Sequence, residues 1–310
     1  MTRDIDPRDR ERERPQPERG GRGGGEALLA DDNTSQHPLS RDLDLPRGPD
    51  RERIHRGGWE GDLRGSDVHV LATVGAFRVV PLEELHRPAD GPRVHRQDVE
   101  HLKSEGLVRT MPYVVGRDRT TLVTLTERGR DVLEASRTRQ HDRPTQSYYA
   151  GIAKPRELAH DARVHQAYVA ACDRVASRGS RVRRVVLEQE LKRDYQRFLQ
   201  APNRGRRKGT GRPERDAEEV ARWAREQGLP MVDDHVQFPD VRLECETPDG
   251  RREYEDVEVM TPHYRGAHAA AKVRAGFTRY SAVGARLSGA SGASRSGRAR
   301  ESRLAEEMLS

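Results

Sequence analysis

Four side chains in the last third of the chain could do chemistry together. Asp240, Asp256 and Glu258 lie within the otherwise apolar-alternating stretch FPDVRLECETPDGRREYEDVEV at 238–259, and Lys272 follows in the next segment. Asp256 and Glu258 are two residues apart, so in a strand they share one face. An antiparallel partner reached through the PDG turn brings Asp240 toward the same place. Two or three hard oxygen ligands converging on one point suit Mg²⁺ or Mn²⁺. A lysine beside them can orient water or stabilise charge developing on a phosphate. On this reading Asp240, Asp256 and Glu258 are metal ligands, and with Lys272 they form the catalytic set. The plain alternative is a solvent-facing row of acids on an ordinary hairpin.

Helices and strands must hold these groups in place. ELAHDARVHQAYVAACDRVASRG predicts a helix with Leu158, Val164, Tyr168, Ala171, Cys172 and Val175 on one side. RVRRVVLEQEL reads as a strand, and DAEEVARWAREQG as a helix capped by Asp216. The two strands joined by PDG come next, then GAHAAAKVRAGFTRY as a helix carrying Lys272. His160-Asp161 fits a helix at a domain junction, and Glu188, Glu190 and Lys192 fit edge polarity, with completion of an acidic site as the alternative.

The first half reads differently. SDVHVLATVGAFRVV predicts a helix capped by Ser66, PLEELHR a second, and VHRQDVEHLKSEGLVRT a third that stops near Gly106. MPYVVGRDRTTLVTLT follows as a strand, a GRDR turn and a strand, then a helix capped by Thr126. This is the order of a winged helix-turn-helix. In that arrangement His95, Arg96, Gln97, His101 and Lys103 are candidate DNA contacts on the third helix, with Arg117 and Arg119 at the wing tip. Arg204, Arg206, Arg207, Lys208 and Arg212 form a basic Gly-rich loop suited to sequence-independent phosphate contact. A winged helix used for protein contacts, and a disordered insertion at 203–215, are the alternatives.

Composition bounds these readings. Of 310 residues 35% are charged, 33% hydrophobic and 5% aromatic, too polar for one core over the whole length. The net charge of +6 favours polyanionic partners, double-stranded DNA among them, although the basic residues are nearly all arginine, a bias that also reflects base composition. Cys172 and Cys245 stand far apart with no CxxC pair, which excludes a zinc ribbon and a disulfide framework. The N-terminus shows no apolar leader, and no run approaches the roughly 18 apolar residues of a membrane span. These features predict a cytoplasmic protein with no membrane partner. The expected organisation is an α+β chain: a disordered tail over 1–60, a winged-helix domain over 61–137, a nuclease-like α/β domain over 150–287 and a flexible tail over 288–310.

The hPD…(D/E)x(E/D)…K pattern on strand, strand and helix resembles the restriction-endonuclease-like PD-(D/E)xK core, with Pro239-Asp240 as its first element. One departure is plain: the position two after Asp256 holds Glu258, and that after Glu258 holds Met260, so the lysine has moved to the next helix. Taken over about residues 60–285, the order of elements resembles the replication-relaxation family of plasmids and mobile elements. The residues that carry this are Leu158-Ala159-His160-Asp161, Pro239-Asp240, Asp256-Val257-Glu258 and Lys272…Tyr280. The resemblance implies a DNA-binding accessory protein in replication or DNA relaxation with a degenerate nuclease-like site, working with other replication or transfer proteins. An active Mg²⁺-dependent endonuclease or nickase, and a winged-helix transcriptional regulator, are the alternatives.

Overall fold

A computed structural model describes residues 37–85, 94–115, 118–138, 144–152, 157–203, 215–260 and 267–281. The fold is α+β, with eight α-helices and four sheets among the described residues. Order starts well before Ser66. Leu39, Leu43 and Leu45 are buried, and β1 (Glu52–Arg56) pairs with β2 (Trp59–Leu63) as an antiparallel hairpin. Gly57 and Gly58 close it at φ of 58° and 75°, the left-handed conformations that a two-residue hairpin turn requires. The tail expected over 1–60 is therefore structured from His37. Its apolar residues are few and scattered among charges, so no period reveals them. Residues 1–36 and 282–310 lie outside the described residues.

Helix α1 (Gly65–Phe77) is buried along its whole length, which makes it a core helix and not a surface one. Its first turn is held by Asp67, whose Oδ2 accepts from the Arg64 amide at 3.1 Å, rather than by the expected Ser66 cap. Around it run β3 (Val79–Pro81), α2 (Leu82–Leu85), α3 (Arg96–Ser104), β4 (Val108–Val115), β5 (Asp118–Leu125) and α4 (Glu127–Ala135). The three strands form an antiparallel sheet in the order β3-β5-β4. Thr126 caps α4 as expected, its Oγ1 accepting from the Gly129 amide at 3.0 Å.

The elements that position the acids follow: α5 (Leu158–Ser177), β6 (Arg181–Leu187), α6 (Glu188–Gln200), α7 (Ala217–Glu226), the small pair β7 (Met231–Val232) and β8 (His235–Val236), β9 (Val241–Glu246), β10 (Arg252–Val259), α8 (Ala267–Arg274) and β11 (Thr278–Tyr280). The sheet order is β11-β10-β9-β6, with β6, β9 and β10 antiparallel in turn and β11 parallel to β10 across the α8 connection. Two elements differ from expectation. The segment from Glu188, read as strand, opens α6, and Thr278–Tyr280, read as helix, is β11.

Alternation along β9 and β10 sorts the sheet into two faces. Val241, Leu243, Val257 and Val259 join Val164, Ala167, Tyr168, Ala171 and Val175 of α5 in one core cluster. That cluster also holds most of α1, so α5 is shared between the two sheets. The opposite face carries Arg242, Glu244, Asp256 and Glu258, with Val186, Leu191, Ala224, Leu229, Val236 and Phe238 packed beside it as a second small core.

Candidate functional site

The expected acids do not all meet. Register places Asp256 directly opposite Arg242. Both carboxylate oxygens of Asp256 accept from that guanidinium, at 2.7 Å from Nε and 2.8 Å from Nη2. Arg242 also donates to the Gln227 carbonyl at 2.6 Å and the Gly228 carbonyl at 2.9 Å, and it lies 4.4 Å over the Tyr254 ring. Asp256 is thus held in a bidentate pair, the strongest side-chain ion-pair geometry, and its oxygens are taken.

Asp240, Glu258 and Lys272 do come together. The Asp240 backbone carbonyl accepts from the Glu188 amide at 3.0 Å, fixing the start of α6 against the start of β9. Asp240 Oδ2 accepts from the Val259 amide at 2.7 Å, which anchors it to the backbone one residue after Glu258. Glu258 is 3% exposed and its Oε2 accepts from Lys272 Nζ at 2.9 Å. Lys272, 4% exposed, also donates to the Phe238 carbonyl, stands 3.8 Å from Glu188 Oε1, and lies 5.6 Å over the Phe277 ring. A strongly hydrated ammonium is costly to bury unless carboxylate and carbonyl oxygens replace its water.

Two residues set aside in the sequence belong to this cluster. His160, on the first turns of α5, places Nε2 at 3.4 Å from Asp240 Oδ1. Burial lowers its pKa, but the hydrogen bond to Asp240 and the charges of Asp240, Asp161 and Glu188 outweigh that, and the net shift is upward. Glu188, the first residue of α6, is bridged by Lys192 one turn on, at 2.8 Å. Both were visible only as a His-Asp doublet and as acids after a strand. Their relevance comes from α5 and α6 meeting at the same end of the sheet.

Beside Asp240 opens a cavity of about 120 Å³, walled among others by Arg78, His160, Glu188 and Lys192. Arg78 follows α1 at φ 66° and ψ −50°, outside the regions that a residue with a side chain ordinarily adopts. Its guanidinium is held 4.9 Å over the Tyr149 ring. Among the described residues no three His, Cys, Asp or Glu side chains are grouped to cage a metal ion as they stand.

The residues expected to contact DNA are placed as follows. His95, Arg96, Gln97 and Lys103 are exposed at α3, and Arg119 is exposed on β5. Lys103 lies 3.5 Å from Glu100, and His101 Nε2 lies 2.9 Å from the Asp62 carbonyl, tying α3 to β2. Arg117, Arg204, Arg206, Arg207, Lys208 and Arg212 lie outside the described residues.

Comparison with known proteins then corrects the expected family. A family model described as Nsp2, transmembrane domain, matches residues 66–190. The match spans less than half of the chain, which is similar to that family over this stretch. No curated protein and no solved structure matches. The match overturns the resemblance to the replication-relaxation family. With it fall the expected role in plasmid or mobile-element replication and DNA relaxation, the endonuclease or nickase alternative and the winged-helix regulator alternative. The stretches that carried the resemblance are two to four residues long, and acids at alternate strand positions recur in unrelated sheets for the ordinary reason of cross-strand pairing, as Asp256 shows. Among the described residues no helix is long and apolar enough to cross a membrane.

Proposed function

We propose that the end of the four-stranded sheet is a site for a divalent cation, Mg²⁺ or Mn²⁺, and a phosphate-bearing ligand. The strand arrangement that supports it is three antiparallel strands, a helix and a parallel fourth, which we read as a nuclease-like core. The observation that carries the reading is the buried constellation of Asp240, Glu258 and Lys272, with the Glu188 carboxylate 3.8 Å from the ammonium. Glu258 and Glu188 flank that buried ammonium, and Asp240, held by the Val259 amide and His160, lies on the neighbouring cavity wall, so carboxylate oxygens suited to a hard cation gather at this end of the sheet.

The donor set fits a hard divalent ion. Mg²⁺ is commonly bound through one or two carboxylates, water and ligand phosphates rather than by a cage of protein atoms. Asp240 and Glu258 would hold it, and when bound it would polarise a phosphate oxygen. The chain's own residues do the rest. Lys272 keeps the Glu258 carboxylate oriented, His160 presents Nε2 to Asp240, and Arg78 and Lys192 supply positive charge on the cavity wall for the ligand.

Calorimetric titration of the full chain with Mn²⁺ tests the reading. We expect saturable binding in the wild type and its loss in Asp240→Asn, whose side-chain oxygen can still accept from Val259. Equal binding by both proteins contradicts the assignment.

A further inference from the structure

Two imidazoles that take no part in the acid–lysine site meet inside the protein, and a third lies within electrostatic reach of both. His37 comes from the turn before Leu39, His69 from α1, and His165 from the middle of α5. The rings of His37 and His69 stand edge to face with centroids 4.0 Å apart. His165 meets Phe77 of α1 edge to face at 5.1 Å. His69 and His165 are almost wholly buried, and in all three rings Nδ1 is buried without a hydrogen-bond partner. A ring so placed is tolerated neutral, because protonating both nitrogens would bury a cation whose Nδ1–H has no acceptor.

We propose that His37, His69 and His165 form an acid-sensitive latch that holds the segment 37–45 against α1 and α5. The segment's backbone pairing is confined to its far end, where Leu43 bridges Arg137 with the Asp44 amide donating to the Ser136 carbonyl at 2.7 Å and the Thr138 amide to the Asp42 carbonyl at 2.9 Å, so the end that carries His37 relies on side chains. It is fastened by buried Leu39, Leu43 and Leu45, by Tyr148 Oη donating to the Leu39 carbonyl at 2.7 Å, and by Arg41 Nη2 donating to the Arg183 carbonyl of β6 at 2.8 Å. Charged groups on the three elements find partners away from the rings, Asp44 with Arg56 and Arg174 with Glu255 among them. Arg41 pairs with Asp42 on the segment, and Asp67 of α1 accepts from Arg64 and faces Arg51 at 3.5 Å. On α5, Asp161 lines the Asp240 cavity. The ionisable groups that act on the rings are the rings themselves.

The direction follows from linkage. Burial lowers the pKa of His69 to about 4. Burial and the neighbouring His69 lower His165 to about 3. Burial first, then His69 and His165, place His37 well below its ordinary value. An opened segment carries His37 back toward its ordinary pKa of about 6.5 and uncovers the ring of His69 that it packs on, so the open form binds more protons than the closed form. The latch is at full strength above about pH 6.5 and weakens progressively as pH falls toward about 4.

Hydrogen–deuterium exchange of the full chain, corrected for intrinsic rates and compared at about pH 7.5 and about pH 5, reads the latch. We expect amides of 39–45 to lose protection about tenfold or more at the lower pH while β9 and β10 keep theirs. His37→Gln with His165→Phe should remove more than half of that pH response. Should that variant not fold, proton NMR of the wild-type imidazoles decides: three rings should stay silent through neutral pH and titrate only as protection is lost. Ordinary titration near pH 6.5 with protection intact, or an unchanged pH response in a folded variant, overturns the proposal.

Discussion

Asp256 and Glu258 stand two residues apart on β10, face the same side of the sheet, and each meets a cation at hydrogen-bond distance. Their surroundings differ in one respect. Asp256 faces Arg242, one charge against one, and the remaining donors of that guanidinium are used by the carbonyls of Gln227 and Gly228. Such a pair is complete. Glu258 Oε2 meets the Lys272 ammonium, a point charge, with Glu188 3.8 Å from the same nitrogen and itself bridged by Lys192. The rows further along the face also answer acids with arginine, in other ratios: Arg184 with Glu244 and Glu190, then Arg181 and Arg183 with Glu246. A charged residue on a sheet face is therefore informative only with its partners counted. Where a planar guanidinium closes both oxygens of an acid, as at Asp256, the role is structural; where an ammonium meets the acid and a cavity adjoins, at the sheet end, we place the ligand.

Replacing the cation in each row should separate the two. Arg242→Ala leaves Asp256 without its partner and removes the donors to the Gln227 and Gly228 carbonyls. We expect the larger loss here, about 3–5 kcal/mol in guanidinium chloride unfolding, and no recovery with Mn²⁺. Lys272→Met leaves Glu258 buried and uncompensated, so in a chelator it should also lose stability, by an amount at the lower end of that range or less because Glu188 and Asp240 repel it in both forms. Saturating Mn²⁺ should then restore about 2.7 kcal/mol at a hundredfold excess over its Kd, since the ion replaces the missing positive charge. Recovery of Arg242→Ala by Mn²⁺, or none for Lys272→Met, would erase the distinction.

Much of the local structure was legible in the sequence. The PDG hairpin, the shared face of Asp256 and Glu258, the Thr126 cap and the Asp216 cap all follow from spacing and residue type, because they are set within a few residues. The partner of each acid was not legible. Arg242 looked like an ordinary alternation of β9, and only register shows that it answers Asp256. His160 and Glu188 joined the site through the meeting of α5, α6 and β9, a tertiary event with no local signature. β11 was hidden for another reason: Gly276, at φ 78°, ends α8 within a stretch whose small residues read as continuous helix. The β1–β2 hairpin was masked by charge, since a two-stranded ribbon with one face on the core needs few apolar residues.

The central claim is that Asp240 and Glu258 hold a divalent cation. The most direct measurement is an anomalous difference map from crystals of the full chain grown with Mn²⁺. We expect a single peak about 2.1 Å from oxygens of both Asp240 and Glu258, with none at Asp256. A map with no peak at that position, collected at Mn²⁺ concentrations that saturate the calorimetric titration and with Lys272 still seated on Glu258, would contradict the assignment.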